Sequence, residues 1–385
     1  MTKKLIAFKE AGKVFLLSRL IIIFITYVSV SRFPLSLSIV ERNCGVHIGD
    51  CISAWNHWDA QAYLYIAQHG YSNVRYTAFF PLWPLLEHMA SELFGGSYYR
   101  SGLLLANIFF YVALVLLYTL LSEDFEETIA RNALFFLAFN AYGLFFFAGF
   151  TESLFLLLSV AVFCCLRREE PYWWLAGFLG MLAVLTRSAG IVLAVPFFVL
   201  AAQRFWRMRR DTEIDWLDKI HMFLPIAIIP VGLLLYMLYL RHLTGNPFMF
   251  SVQETAGWKR HLALPWTGIF IDIHLLLTTS YDQASNLLDL LFTLLPIGVL
   301  IAGWRRLPWH YSLFAAALIL LSLLYSAYPP MPLTSAPRYM IVVFPVFVII
   351  AIWAKRQSVD RIYLALSLPL FAVNVALFVS HYWVG

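Results

Sequence analysis

One carboxylate in this sequence stands where it could move a proton. Asp59 lies in HWDAQAYLYIAQHGY (57–71), a block rich in Trp, Tyr, His and Gln that follows the first membrane-length apolar run and precedes AFFPLWPLL (78–86). A carboxylate at a membrane surface can serve as general base towards a hydroxyl. Arg187 in TRSAG and Arg338 in APRY stand where turns meet apolar runs, and a guanidinium fork matches phosphate oxygens in pairs. Lys259 and Arg260 follow Trp258 and suit either a phosphate or an anionic lipid. Glu152, between Thr151 and Ser153 at the start of an apolar run, is costly beside a membrane unless it is paired or binds ligand hydroxyls. His57, Trp58, Gln61 and His69 flank Asp59 and could make further ligand contacts.

Each of these residues has a plainer reading. Asp59 and Glu152 could simply face the exposed N–H groups of helix starts. The arginines could extend their heads to lipid headgroups, and Lys259 and Arg260 could be drawn to anionic lipid. Polar side chains on an interfacial helix are common. Spacing alone favours the capping reading of Asp59.

The elements that must position these groups are membrane helices. The chain has 385 residues, is 61% hydrophobic and 13% charged, and has a mean hydropathy of +0.76, far from soluble domains. Apolar runs of membrane-crossing length recur. About eleven spans are expected, near 14–33, 102–121, 133–149, 153–166, 172–186, 189–203, 222–241, 286–303, 311–327, 339–354 and 361–381. Lys3, Lys4, Lys9 and Lys13 precede the first span, so the N-terminus is expected in the cytoplasm. Alternation then brings the basic segments 204–219, 303–309 and 355–361 to that same side, and the polar segments 34–101 and 243–285 to the outer one. These outer segments are long, which usually means function. The first apolar run is too long for a cleaved signal and lacks a small-residue cleavage site. The net charge of +5 is spread over short loops, so no nucleic-acid partner is expected.

Within the outer segment, Asn56 is the expected N-cap of a helix with Asp59 at its third position and Gly70 just past its end. Asp59, Tyr63, Ile66 and Gly70 form one stripe of it. Residues 34–101 are expected to hold one or two such interfacial helices. Cys44 and Cys51 could pair in an oxidising compartment, whereas Cys164 and Cys165 sit in a span. No Cys/His spacing resembles a metal site, and neither metal nor cofactor is expected.

The string W-D-A-x-x-Y-L-x-I-A-x-x-G-Y, followed by A-F-F-P-L-x-P-L-L, resembles the first outer loop of the PIG-V-like mannosyltransferases. FFFAGFTESLFLLL (145–158), LTRSAGIVLAVP (185–196), TGNPFMFSVQETAGWKR (244–260) and SAPRYMIVVFPVF (335–347) follow in the family's order. The resemblance implies an all-α GT-C bundle, here one transmembrane domain over 1–385 with its site in the outer loops. It further implies an inverting hexosyl transfer, of mannose, from a polyprenyl-phosphate donor to a lipid-linked or glycan acceptor. Asp59 would then be the base, and Arg338, Arg187, Lys259 and Arg260 would meet the donor phosphate. Glu152, His57, Trp58, Gln61 and His69 would contact sugar or acceptor. The residues themselves do not distinguish mannose from glucose or arabinose, nor do they define an oligomeric state.

Two other classes compete. A flippase or transporter of lipid-linked saccharides would line a midplane path with its ionisable residues, whereas here they gather in the outer loops. A membrane acyltransferase could use His57, but no supporting motif accompanies it. Sugar transfer in detergent, without a sealed vesicle, separates an enzyme from a flippase. A prokaryotic inner membrane with an outward-facing site is the expected location, or the endoplasmic reticulum in a eukaryote.

Overall fold

The structure, a computed structural model, describes residues 3–32, 48–93, 95–208, 220–278 and 283–385. Cys44 and residues 209–219 lie outside that set, so the expected Cys44–Cys51 pair and most of one basic segment do too. Among the described residues, six helices are long and apolar enough to cross a bilayer: Lys4–Arg32, Tyr98–Asp124, Ser188–Met208, Leu224–Thr244, Gln283–Arg306 and Gln357–Val379. Five shorter apolar helices, Glu152–Leu166, Trp173–Thr186, Thr267–Thr278, Trp309–Leu323 and Phe344–Trp353, accompany them. The protein is an all-α, polytopic membrane protein. Tyr98–Asp124 packs against Lys3–Arg32, Leu82–Leu93, Glu127–Ala138 and Glu152–Leu166, and so forms the centre of the bundle's first half.

Several expected spans differ from what is observed. The 133–149 run is not one helix: Glu127–Ala138 ends, the chain turns through a 3-10 segment at Gly143–Phe146, and a new helix begins at Glu152. Asn140 Oδ1 accepts the Tyr142 N–H at 2.9 Å and starts the turn. At Gly143 a Cβ would come within 2.5 Å of the Ala138 carbonyl oxygen, so the reversal needs glycine there. This irregular stretch is almost wholly buried, and in an apolar interior its freed carbonyls need partners. Arg19 Nη2 and Ser153 Oγ donate to Phe146 O at 2.7 and 3.1 Å. Asn107 Nδ2 donates to Phe147 O at 3.2 Å. From the last helix, Ser367 Oγ reaches Phe139 O at 2.6 Å and Asn374 Nδ2 reaches Ala141 O at 2.9 Å.

Two more runs are shorter than expected. The helix from Trp309 stops at Leu323, and Tyr325–Ala327 becomes strand β2, paired antiparallel with β1, Arg260–Leu262. The 339–354 run divides into Ala336–Met340 and Phe344–Trp353, consistent with a proline at the start of each. The described residues of the 34–101 segment hold more helix than expected: Ile48–Ser53, Asp59–His69 and Leu82–Leu93, with a 3-10 turn at Val74–Ala78.

Candidate active site

Four of the residues singled out by type are brought into one chain of charges. Arg338 Nη1 donates to Asp59 Oδ2 at 2.6 Å, Arg338 Nε lies 3.0 Å from Glu152 Oε1, and Arg187 Nη1 donates to that same oxygen at 2.9 Å. Signs alternate along Asp59–Arg338–Glu152–Arg187. That alternation is what makes the burial of four ions tolerable, since an unpaired one would cost several kcal/mol.

Local backbone explains how each is aimed. The helix carrying Asp59 begins at Asp59 itself, not at Asn56: Trp58 holds the cap position with φ +54° and no capping side-chain bond. A non-glycine residue at such a φ costs roughly 1–3 kcal/mol and is held by its surroundings. Gly70, at φ +62°, closes the helix as expected. The buried stripe of this helix includes Asp59, Tyr63 and Ile66. Arg187 is the first residue past Trp173–Thr186, and the turn after it is tight. A Cβ on Gly190 would meet the Val184 nitrogen at 2.3 Å. Arg338 sits in the short Ala336–Met340 helix with the rings of Phe150 and Phe145 at 5.3 and 5.6 Å from its guanidinium carbon. Burial alone would lower its pKa, but Asp59 and Glu152 outweigh that and hold the guanidinium above its usual range.

A third guanidinium joins them. Arg260, on β1, is buried, hydrogen-bonds the Tyr339 hydroxyl through Nη1, and donates from Nη2 to Thr334 O at 3.0 Å. The Tyr339 ring lies 4.6, 5.2 and 5.6 Å from the guanidinium carbons of Arg187, Arg260 and Arg338. Tyr339 is therefore the hub about which the three cations are spaced.

These groups front a cavity of about 310 Å³, whose wall includes Asp59, Tyr63, Arg187, Glu254, Arg260 and Arg338. Such a volume lies at the lower end for small-molecule sites. Glu152 is not part of that wall. It is fully buried behind Arg187 and Arg338, so it braces the cations and does not face the cavity. Lys259 also stays outside: it is exposed, at φ +55°, ending the Met249–Trp258 helix. His57 is buried against His381, ring centres 3.6 Å apart, away from the cavity wall. Gln61 is exposed and donates to Asn56 O at 2.9 Å, and His69 is exposed beside Tyr65. Trp58 packs edge-on to Trp383, and it is Trp383 that reaches the wall.

Among the wall residues not singled out by type are Tyr63, Tyr339, Trp258 and Trp383. Tyr63 had a usable signal, one turn beyond Asp59, and Tyr339 is Arg338's neighbour. Trp258 and Trp383 had none, because only folding brings residue 383 beside residue 59. Chemically, the cavity offers a carboxylate able to receive a proton beside guanidiniums able to hold a phosphate.

A family model described as Mannosyltransferase (PIG-V) matches residues 13–240, more than half of the chain. The GPI alpha-1,6-mannosyltransferase 2 of Cricetulus griseus is 32% identical over 162 residues, covering 39% of this chain and 32% of its own length. The Mus musculus protein of that name is 36% identical over 149 residues, covering 36% and 29%. The Drosophila melanogaster GPI mannosyltransferase 2 is 27% identical over 225 residues, covering 51% and 49%. In each case the matched stretch spans less than half of the relative. Among solved structures, ArnT from Cupriavidus metallidurans in the apo state aligns over 95% of this chain and 75% of its own, at 14% identity and a TM-score of 0.46. The Archaeoglobus fulgidus oligosaccharyltransferase complexed with Zn and sulfate aligns over 94% and 53%, at 13% identity and a TM-score of 0.45.

Proposed function

We propose, from the premise that this chain belongs to the mannosyltransferase (PIG-V) family, that it transfers a mannosyl group from a polyprenyl-phosphate donor to a hydroxyl of a lipid-linked or glycan acceptor. The observation that carries this reading is the cavity in which the Asp59 carboxylate adjoins the guanidiniums of Arg187, Arg260 and Arg338.

In the proposed reaction Asp59 takes the proton of the acceptor hydroxyl. The acceptor oxygen forms a bond to the anomeric carbon as the bond from that carbon to the phosphate oxygen breaks. The bonding pair leaves with the polyprenyl phosphate, and one displacement inverts the anomeric centre. Arg338, Arg187 and Arg260 meet the charge that develops on the leaving phosphate, held for it before the reaction begins. Glu152 keeps two of those cations at fixed spacing from behind. No metal is assigned, since guanidiniums alone suit a monophosphate. Leu233, Leu318 and Leu321 on the cavity wall provide an apolar side for the polyprenyl chain. We assign the reaction to the outer face of a prokaryotic inner membrane, on the strength of the basic segments that mark the opposite side.

The test is transfer by the purified protein in detergent, offered polyprenyl-phosphate mannose, glucose and arabinose in turn, with and without EDTA. Mannose transfer unaffected by EDTA is expected. Failure to transfer any sugar in detergent would overturn the reading and favour a flippase.

A further inference from the structure

The proposed chemistry leaves one cavity carboxylate unused. Of the acids near the cations, Glu152 is sealed away from the cavity and Asp59 is bonded to Arg338. Glu254 is different. It lines the cavity, its side chain retains 32% exposure, and its one ion pair, to Arg260 Nη1, is loose at 3.9 Å. Among the described residues it makes no hydrogen bond, so both oxygens have acceptor capacity to offer.

The helix that carries Glu254 differs from the rest of the bundle. Met249–Trp258 has no buried residue; Met249, Phe250 and Trp258 pack against the core only partly buried. It is bracketed by left-handed backbone, Gly245 at φ +78° and Lys259 at φ +55°. Its cavity side is a single stripe, Phe250, Ser251, Glu254 and Trp258, at helical spacing. A carboxylate, a hydroxyl and an indole along one stripe match a pyranose, which has hydroxyls at its rim and an apolar C–H face. The residue after this helix's C-cap is Arg260, one of the three phosphate-facing cations, and its guanidinium is the one that pairs with Glu254. The ring nearest such a phosphate is the one bonded to it.

Resting on the reading of the cavity as a polyprenyl-phosphate sugar site, we propose that Glu254 is its sugar-recognition carboxylate, accepting hydrogen bonds from ring hydroxyls of the donor's hexose while Trp258 packs against the sugar's apolar face. Glu254 is thus a binding and specificity residue, separate from the proton transfer at Asp59. Burial, with the Asp59 charge adding to it, raises its carboxyl pKa even though Arg260 opposes the shift, as expected of an acid poised for a polar ligand.

The experiment is binding and turnover by the full-length protein in detergent, with a short-chain polyprenyl-phosphate mannose as probe. Glu254→Gln keeps the shape and one acceptor oxygen, and Glu254→Ala removes both. Loss of charge-assisted hydrogen bonds should raise the donor Kd and KM roughly tenfold to a hundredfold, leave kcat within a few-fold, and narrow the preference for mannose over glucose donors. The melting temperature near neutral pH should not fall, since the Glu254 side chain makes no hydrogen bond among the described residues that the substitution would break. Wild-type binding with unaltered Kd in both variants would overturn the assignment and leave the transferase reading standing. A fall in kcat at constant Kd would also overturn it, moving Glu254 into the chemistry. If wild type binds no sugar phosphate at all, the functional reading fails and takes this inference with it.

Discussion

Replacing Asp59 with Asn tests the mechanism most directly, and the structure gives two separable magnitudes. As general base, Asp59 should account for about a hundredfold to ten-thousandfold in turnover, or roughly 3–5 kcal/mol of barrier. It is also the partner of a buried cation, bonded to Arg338 at 2.6 Å. Removing one member of a buried pair costs about 3–5 kcal/mol of stability. Here the loss is smaller, because Glu152 remains 3.0 Å from Arg338 and the Asn carbonyl still accepts a hydrogen bond. We expect about 1–3 kcal/mol. The assay is transfer of labelled mannose in detergent, alongside a thermal unfolding curve. Asp59→Asn should lose kcat while its melting temperature falls by a few degrees and the donor KM changes modestly. Asp59→Glu should retain the ion pair and recover part of kcat. Turnover near wild type in a folded Asp59→Asn protein would refute the role of Asp59. A large rise in KM with kcat intact would instead mean that the residue acts only by holding Arg338.

Other outcomes follow from the same geometry. Glu152→Gln leaves Arg187 and Arg338 short of a shared counter-charge and should destabilise the fold by about 3–5 kcal/mol, read as a drop in melting temperature; an unchanged curve would count against the charge chain. Gly190→Ala sets a methyl against backbone at Val184 and should displace Arg187, costing about 1–3 kcal/mol and raising the donor KM; unchanged KM would sever Arg187 from donor binding. Because the Glu254 carboxyl titrates above the ordinary carboxylate range, its ionised form is lost as pH falls through that raised value; donor KM should then rise towards acid, and Glu254→Gln should flatten the dependence. The same shift makes the folded state the tighter proton binder, so this group's contribution to stability grows as pH falls and is lost as pH rises. In a cysteine-free background, single cysteines at 75 and 356 should label from opposite sides of the membrane; labelling from one side would reject the expected orientation.

What could be read in advance was chemistry by type and span by hydropathy. Asp59, Arg187 and Arg338 stood out because an ion at the rim of an apolar run needs a reason, and the fold joins all three. What hydropathy missed were the interruptions. Residues 139–149 look like part of a span because a window of apolar side chains carries no record of where backbone carbonyls find donors. Those donors, Arg19, Asn107, Ser367 and Asn374, lie on other helices. The cap at Asn56 was the local favourite and lost to a strained Trp58, a tertiary requirement overriding propensity. Strand β1 was invisible because its partner is more than sixty residues away. Glu152 was visible as an acid, but no pattern could tell that it faces two arginines and not the cavity.

The interrupted segment also bears on how the molecule is made. Ser367 and Asn374 are among its donors, and they follow the carbonyls they serve by 228 and 233 residues in the order of synthesis. Until their helix inserts, the carbonyls of Phe139 and Ala141 lack these partners in an apolar surrounding, at several kcal/mol for an unmet group. Glu152, which braces two of the cavity's cations, follows directly after. Assembly of the candidate site is thereby deferred until residues 357–379 are made, and a chain halted ahead of Ser367 should leave residues 139–151 open to protease in the membrane.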